Sequence, residues 1–201
     1  MNYKYYVAIT GTSGSGKTTV INLLKQMGYT TVDYDLFSIE IILKENKVQD
    51  KLIEFIPDIL KKTINLHDIG SFFENHPDKE IEFENWFQPF LGKCINRDIE
   101  YKRYSGIVFF DLPYIDKKNI EYMFDEIWII SLDYETNCSR LKNRNNYTYN
   151  KINYLIKRSS IENLEYSTLV FVIDNSTTIK ELKIRLLERI SCVKKHFFNN
   201  G

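Results

Sequence analysis

The stretch Gly11-Thr12-Ser13-Gly14-Ser15-Gly16-Lys17-Thr18 is a full match to the G-x-x-x-x-G-K-[ST] phosphate-binding loop. Such a loop wraps a polyphosphate with backbone N–H groups, and glycine lets the main chain approach without a Cβ in the way. Lys17 is placed to reach the β- and γ-phosphates, and the Thr18 hydroxyl to meet a Mg2+ ion that arrives with the nucleotide. The setting on both sides is the one the motif requires. Tyr5-Tyr6-Val7-Ala8-Ile9 is an apolar, β-rich run that predicts a buried strand. Val20, Ile21, Leu23, Leu24 and Met27 recur at helical spacing, and Gly28 stops that helix. The helix N-terminus adds its own attraction for phosphate. A nucleoside triphosphate is the expected ligand.

Next along the chain, Tyr29 to Asp35 reads as a second short strand ending in two carboxylates, Asp33 and Asp35. Carboxyl ends of strands face the ligand crevice in open α/β sheets, so one of the two is a candidate to meet the substrate. The plainer alternative is that Asp35 caps a helix starting at Leu36. From Leu36 to Arg103 the pattern is helical for most of its length, with a break or kink at Pro57 and a separator at His76-Pro77-Asp78. Phe83, Trp86, Phe87, Phe90 and Leu91 form an aromatic stripe that reads as core before it reads as a binding platform. Pro89 is expected to disturb the helix and leave a surface that a ligand can approach. The block is far longer than a crossover needs, which suggests an inserted substrate-binding subdomain.

Gly106 to Pro113 predicts a third strand ending near Asp111, a residue expected to touch Mg2+, its water or the substrate. Glu126 to Leu132 predicts a fourth strand and Thr168 to Ile173 a fifth, followed by the turn Asp174-Asn175-Ser176. Between them, Arg140 and Arg144 lie four apart on one helix face. With Lys142, Lys151, Lys157 and Arg158 they make either a solvated surface or a basic lid over a triphosphate. Leu182, Leu186, Leu187 and Ile190 close the chain with an amphipathic helix. Strands alternating with helices point to α/β architecture, a five-stranded parallel sheet covered by helices.

Composition narrows the partners. The 201 residues suffice for one well-buried core, and 27 basic residues balance 27 acidic ones. That balance provides no long-range field to gather nucleic acid or an anionic membrane, so any anion site is local. Cys94, Cys138 and Cys192 are unpaired in spacing and read as reduced residues of a cytoplasmic protein. Met1-Asn2-Tyr3-Lys4 leads into the first strand without the features of a signal peptide, and no apolar run is long enough to span a membrane. His67, His76 and His196 have no ligand spacing, which leaves Mg2+ carried by the nucleotide.

Taken in order, these segments resemble the dephospho-coenzyme A kinase family. The likeness runs through Ile9 to Thr19, Gly28 to Asp35, Asp111-Leu112-Pro113, Asp125 to Trp128, Arg140-Leu141 with Arg144, and Val172 to Asn175. The resemblance implies transfer of the ATP γ-phosphoryl to the ribose 3′-hydroxyl of dephospho-coenzyme A, a small-molecule substrate, in the last step of coenzyme A synthesis. It implies a P-loop kinase fold with a core at about 1–35, 104–133 and 166–201, a helical substrate-binding insert at about 36–103 and a lid at about 134–165. The family's catalytic aspartate falls on Asp35, its lid arginines on Arg140 and Arg144, and the turn near the adenine of ATP on Asn175. ATP would thus be held by Gly11, Thr12, Ser13, Gly14, Ser15, Gly16, Lys17, Thr18, Thr19 and Asn175. Mg2+ would sit at Thr18 and Asp111, and the acceptor at Asp33, Asp35, Gln88 and Asp111.

The chain departs from the family at several positions. A usual His-Pro appears as Gln88-Pro89, and Tyr114-Ile115-Asp116 replaces Leu-Leu-Phe. Read without gaps, a lid Arg and Gln become Leu155 and Ser159, a Lys becomes Glu165 and an Asp becomes Val170. Two other readings compete. A nucleoside kinase resembling the uridine kinase group would use the same Lys17, Thr18 and Asp35 with a smaller acceptor. A nucleotide-binding P-loop protein without turnover would explain the altered lid positions. Sequence leaves the oligomeric state open.

Overall fold

The computed structural model describes residues 4–56, 66–115, 118–145, 147–159 and 168–199, with side chains at all of these positions except 144, 145, 158 and 196–199. Pro57 and Glu165 lie outside the described residues. Strand β1 (Lys4–Gly11) leads to helix α1 (Lys17–Gln26), then β2 (Thr30–Asp33) and four helices: α2 (Tyr34–Lys44), α3 (Asn46–Phe55), α4 (Leu66–Asn75) and α5 (Pro77–Lys102). Strand β3 (Gly106–Asp111), a 3-10 turn at Glu121–Met123 and β4 (Glu126–Ser131) follow. Helices α6 (Tyr134–Asn145) and α7 (Tyr149–Arg158), strand β5 (Leu169–Asp174) and helix α8 (Ile179–Asn199) complete the order.

The five strands form one sheet in the order β2-β3-β1-β4-β5, every neighbouring pair parallel. Side chains alternate between faces along a strand, and the core divides accordingly. Tyr6, Ala8, Val108, Phe110 and Ile127 face the helical block, where Leu52, Phe83, Phe87, Leu91 and Ile95 cover them. Tyr5, Val7, Ile9, Phe109, Trp128 and Ile130 face α1 and α8, where Val20, Leu24, Leu182 and Leu186 cover them. Burial on both faces explains why the strands read as continuous apolar runs. Each fully buried Ile or Phe contributes roughly 1.5–3 kcal/mol.

Three expectations need correction. Strand β2 stops at Asp33, so neither Tyr34 nor Asp35 belongs to it, and α2 begins at Tyr34 instead of Leu36. The reason is tertiary. Tyr34 is buried, stacks on Phe110 and donates its hydroxyl to Asp98 at 2.9 Å, which turns the chain into the helix one residue after β2. Pro89, expected to break the helix, lies inside a continuous α5. It removes the N–H that would reach the Asn85 carbonyl, but Phe87, Gln88, Leu91 and Gly92 around it are all buried, so packing holds the helix through the lost bond. Finally, α5 starts at Pro77, inside the stretch expected to separate the helices; proline suits the first helical position, where its missing N–H has no intrahelical use.

Candidate active site

The phosphate loop leaves the carboxyl end of β1 at the centre of the sheet and runs into α1. Gly14 and Gly16 have φ of 83° and 98°, the left-handed region. A Cβ on Gly14 would stand 2.2 Å from Asn137 Oδ1, and one on Gly16 2.2 Å from Asn175 Nδ2. Conformation and space therefore both exclude a side chain at these two positions. Three neighbours brace the loop. Asn175 Nδ2 donates to the Ser15 carbonyl at 2.7 Å, Ser13 N–H donates to Ser159 Oγ at 2.6 Å, and Asn137 Nδ2 reaches Thr12 Oγ1 at 3.4 Å. Helix α1 has Gly16 as its N-cap, with no side-chain cap and no acidic residue in the first turn. Its leading N–H groups thus keep their pull on an anion.

Lys17 donates to the Gly11 carbonyl at 2.6 Å and the Thr12 carbonyl at 3.3 Å. Burial pushes its ammonium below the usual lysine value, while the charges of Asp111 and Asp35 oppose the shift. These contributions bring together three groups from three elements: α1, the end of β3 and the first turn of α2. Burial raises Asp111 to about 6; Lys17 pulls it down, and Asp35 and Asp33 push it further up. Its Oδ1 is buried and, among the described atoms, has no hydrogen-bond partner.

The two aspartates after β2 take different roles. Asp33 Oδ1 accepts from Leu36 N–H at 3.0 Å and caps α2, so the alternative that assigned the cap to Asp35 is overturned. Asp33 is also the register partner of Asp111. Asp35 sits in the first turn of α2, exposed at the carboxyl end of the sheet. The atoms around it raise its pKa by desolvation, Lys17 lowers it, Asp33 raises it and Lys118 lowers it.

Lys118 is a residue that sequence reading missed. It is buried, and its ammonium donates to the carbonyls of Pro113 and Tyr114, the latter at 3.2 Å. Its backbone is seated by α5: a Cβ on Gly92 would lie 2.1 Å from the Lys118 carbonyl. The one available signal was its place in the loop that follows β3 into the crevice.

Other expected residues are placed less simply. Arg140 NH2 donates to the Asn175 carbonyl at 3.0 Å, which sets its guanidinium beside the start of α1. Arg144 follows one turn later in α6; its side chain lies outside the described residues. Asn175 is 4% exposed, and its amide is occupied with Ser15, so it holds the loop and is not open to a base. Gln88 is buried and donates to the Glu84 carboxylate, which places it in the packing of α5 rather than on an open surface. Thr18 is exposed at the start of α1, and Thr19 follows half-buried. Ser159, a departure from the family pattern, contacts the phosphate loop directly.

Asp111 Oδ1 and the Thr18 hydroxyl are hard oxygen donors of the kind Mg2+ takes, and an orphaned buried carboxylate oxygen fits such an ion. Among the described residues no group of three or more His, Cys, Asp or Glu side chains gathers into a metal cage, and no helix is long and apolar enough to cross a membrane.

Comparison with known proteins identifies the family. A family model for dephospho-CoA kinases matches residues 5–181. The chain is 26% identical over 191 residues to the dephospho-CoA kinase of Streptococcus mutans, covering 90% of this chain and 93% of the relative. It is likewise 26% identical over 202 residues to that of Staphylococcus aureus, covering 97% and 98%. In fold it is similar to a solved Thermus thermophilus protein, with a TM-score of 0.70 at 20% identity over 94% of this chain and 97% of that one. It is also similar to the dephospho-CoA kinase from Campylobacter jejuni, with a TM-score of 0.60 at 15% identity over 95% and 99%.

Proposed function

The chain belongs to the dephospho-CoA kinase family, and from that premise we propose that Asp35 is the group that takes the proton of the acceptor hydroxyl. The protein is an ATP-dependent kinase that phosphorylates the ribose 3′-hydroxyl of dephospho-CoA, the final step of coenzyme A synthesis. In the proposed mechanism the loop N–H groups and the first turn of α1 cradle the triphosphate. Lys17 exchanges the carbonyls of Gly11 and Thr12 for the β- and γ-phosphates. Thr18 and Asp111 would hold Mg2+, which supplies positive charge against the phosphate oxygens.

Asp35 then orients the 3′-hydroxyl and accepts its proton as the oxygen attacks the γ-phosphorus, while the bond from that phosphorus to the β–γ bridging oxygen breaks and ADP leaves. A carboxylate whose pKa is raised is better matched to that proton than an ordinary surface aspartate. Arg140, with Arg144 one turn along α6, spreads the charge of the transferring group through a planar fork of donors. In this reading α2–α5 form the acceptor-binding insert, and the segment from α6 through α7 forms the lid. The reaction partners are small molecules in the cytoplasm, without nucleic acid or membrane.

The observation that carries the proposal is the division of labour after β2: Asp33 takes the helix cap, and Asp35 is left exposed within electrostatic range of Lys17. Incubation with ATP and Mg2+ against dephospho-CoA and uridine tests it. The expected product is the 3′-phosphate of dephospho-CoA. Phosphorylation of uridine alone would favour the nucleoside kinase reading, and no product with either acceptor would favour a nucleotide binder without turnover.

A further inference from the structure

The helix that carries Asp35 is anchored at its first residue. Among the described residues, which include all 11 of α2, Tyr34 is the one buried side chain of that helix, and it immediately precedes Asp35. Its ring stacks on Phe110 of β3, with centroids 5.9 Å apart and planes 8° from parallel, and meets Phe37 edge-on at 5.4 Å. At the far end of the ring the hydroxyl donates to Asp98 Oδ2 of α5 at 2.9 Å. Asp98 is in turn held by Lys102 one turn later, whose ammonium lies 3.0 Å from the same oxygen. Burial, followed by the Asp98 hydrogen bond and charge, pushes the phenol upward, so it stays a donor.

Two features connect this pin with the chemistry. Phe110 immediately precedes Asp111, just as Tyr34 precedes Asp35. One peptide, about 3.8 Å between Cα atoms, therefore separates each ring of the stacked pair from a carboxylate at the reaction centre. The second feature is the hydroxyl. Stacking holds two rings at a set separation but lets one slide over the other, since aromatic faces attract over a broad range of offsets. A hydrogen bond weakens steeply with length and angle, so the bond to Asp98 stops that slide. Helix α5 gives it a firm footing, because Leu91, Ile95 and Ile99 on the turns around Asp98 are buried.

We propose that Tyr34 is a positioning residue for phosphoryl transfer: its ring on Phe110 and its hydroxyl on Asp98 set where Asp35 stands relative to Asp111 and the phosphate loop. The inference rests on Asp35 as the proton acceptor, the reading given above. Tyr34 is buried and acts through Asp35. It excludes nearby placements of the first turn of α2 in which the carboxylate misses the acceptor oxygen, and a misplacement on the order of 1 Å is enough to slow a transfer about a hundredfold.

Steady-state kinetics with dephospho-CoA, ATP and Mg2+ on Tyr34→Phe, Asp98→Ala, their double variant and Asp98→Asn test it, each rate being referred to the folded fraction from urea unfolding. Tyr34→Phe keeps the ring and loses the bond. Its kcat is expected to fall about tenfold while KM for ATP stays within about twofold, because the phosphate loop is untouched. Asp98→Ala removes the bond from the other side and gives the same reading should Tyr34→Phe fail to fold. The double variant is expected to be no slower than the slower single one, and Asp98→Asn, which keeps an acceptor oxygen, to restore kcat to within about threefold of wild type. Wild-type kcat in Tyr34→Phe, losses that multiply in the double variant, or an Asp98→Asn as slow as Asp98→Ala would each overturn the proposal. Asp35→Asn is run alongside. If it is inactive while Tyr34→Phe is fully active, the pin fails and the base stands; if it keeps turnover, the base fails and this role with it.

Discussion

Asp33, Asp35 and Asp111 crowd one end of the sheet, and their different surroundings give them different chemistry. Asp33 has a backbone N–H to accept, Asp35 has the open cleft and two lysine charges, and Asp111 has a buried oxygen with no partner among the described atoms. Asp111 therefore destabilises the ligand-free fold when ionised. Its pKa rises on folding from 3.8 to about 6, so between those values the folded chain binds more protons than the unfolded one, and stability falls as pH increases. In metal-free buffer Asp111→Asn is expected to gain about 3 kcal/mol in urea unfolding at pH 7.5. The gain should shrink as pH drops through 6 and vanish below about 4. Parallel stability curves for wild type and variant would refute this account of Asp111. At this scale the sequence disclosed that a carboxylate pair follows β2 but not which member caps the helix, because aspartate is a good cap at either position. Burial of Tyr34 makes the choice, and that is a tertiary fact. Lys118 was illegible for a similar reason: nothing in the sequence around it says that it turns inward under α5.

Helices α1 and α8 are fixed to the sheet by different means. Helix α1 relies on apolar packing of Val20, Ile21, Leu23 and Leu24, whereas α8 adds a buried ion pair. Glu126, at the amino end of β4 and 1% exposed, receives Arg189 of α8, Trp128 Nε1 at 2.7 Å and the Tyr5 hydroxyl. Burial and the Glu126 charge push the Tyr5 phenol upward, which keeps it a donor. Removing Glu126 would strand the Arg189 guanidinium and two further donors. Glu126→Ala is thus expected to cost about 3–5 kcal/mol in urea unfolding. The nucleotide site, at the opposite ends of the strands, should keep its ATP affinity in the protein that remains folded. Destabilisation below about 1 kcal/mol would show that the pair is screened and incidental. Strand and helix identities were readable from apolar runs and helical spacing, since both faces of the sheet are covered. Pro89 was not, because a local rule about proline is outweighed by four buried neighbours on the same helix.

Over the whole molecule, the alternation of strands and helices foretold a parallel α/β sheet, but the order β2-β3-β1-β4-β5 could not be read from any repeat. That order puts β1 at the centre with β3 beside it, so the phosphate loop, Asp111 and the β2–α2 junction meet at one edge of the sheet. The long block α2–α5 packs on one face, α1 and α8 on the other, and α7 bridges the block and the loop through Glu74, Glu80 and Ser13. The catalytic proposal depends on this convergence, and it can be tested on one pair of proteins. Turnover of dephospho-CoA and equilibrium binding of ATP are measured for wild type and Asp35→Asn under identical conditions. The account predicts that kcat falls about 10²–10⁴-fold while ATP affinity stays within about threefold. Turnover that survives the substitution would contradict it.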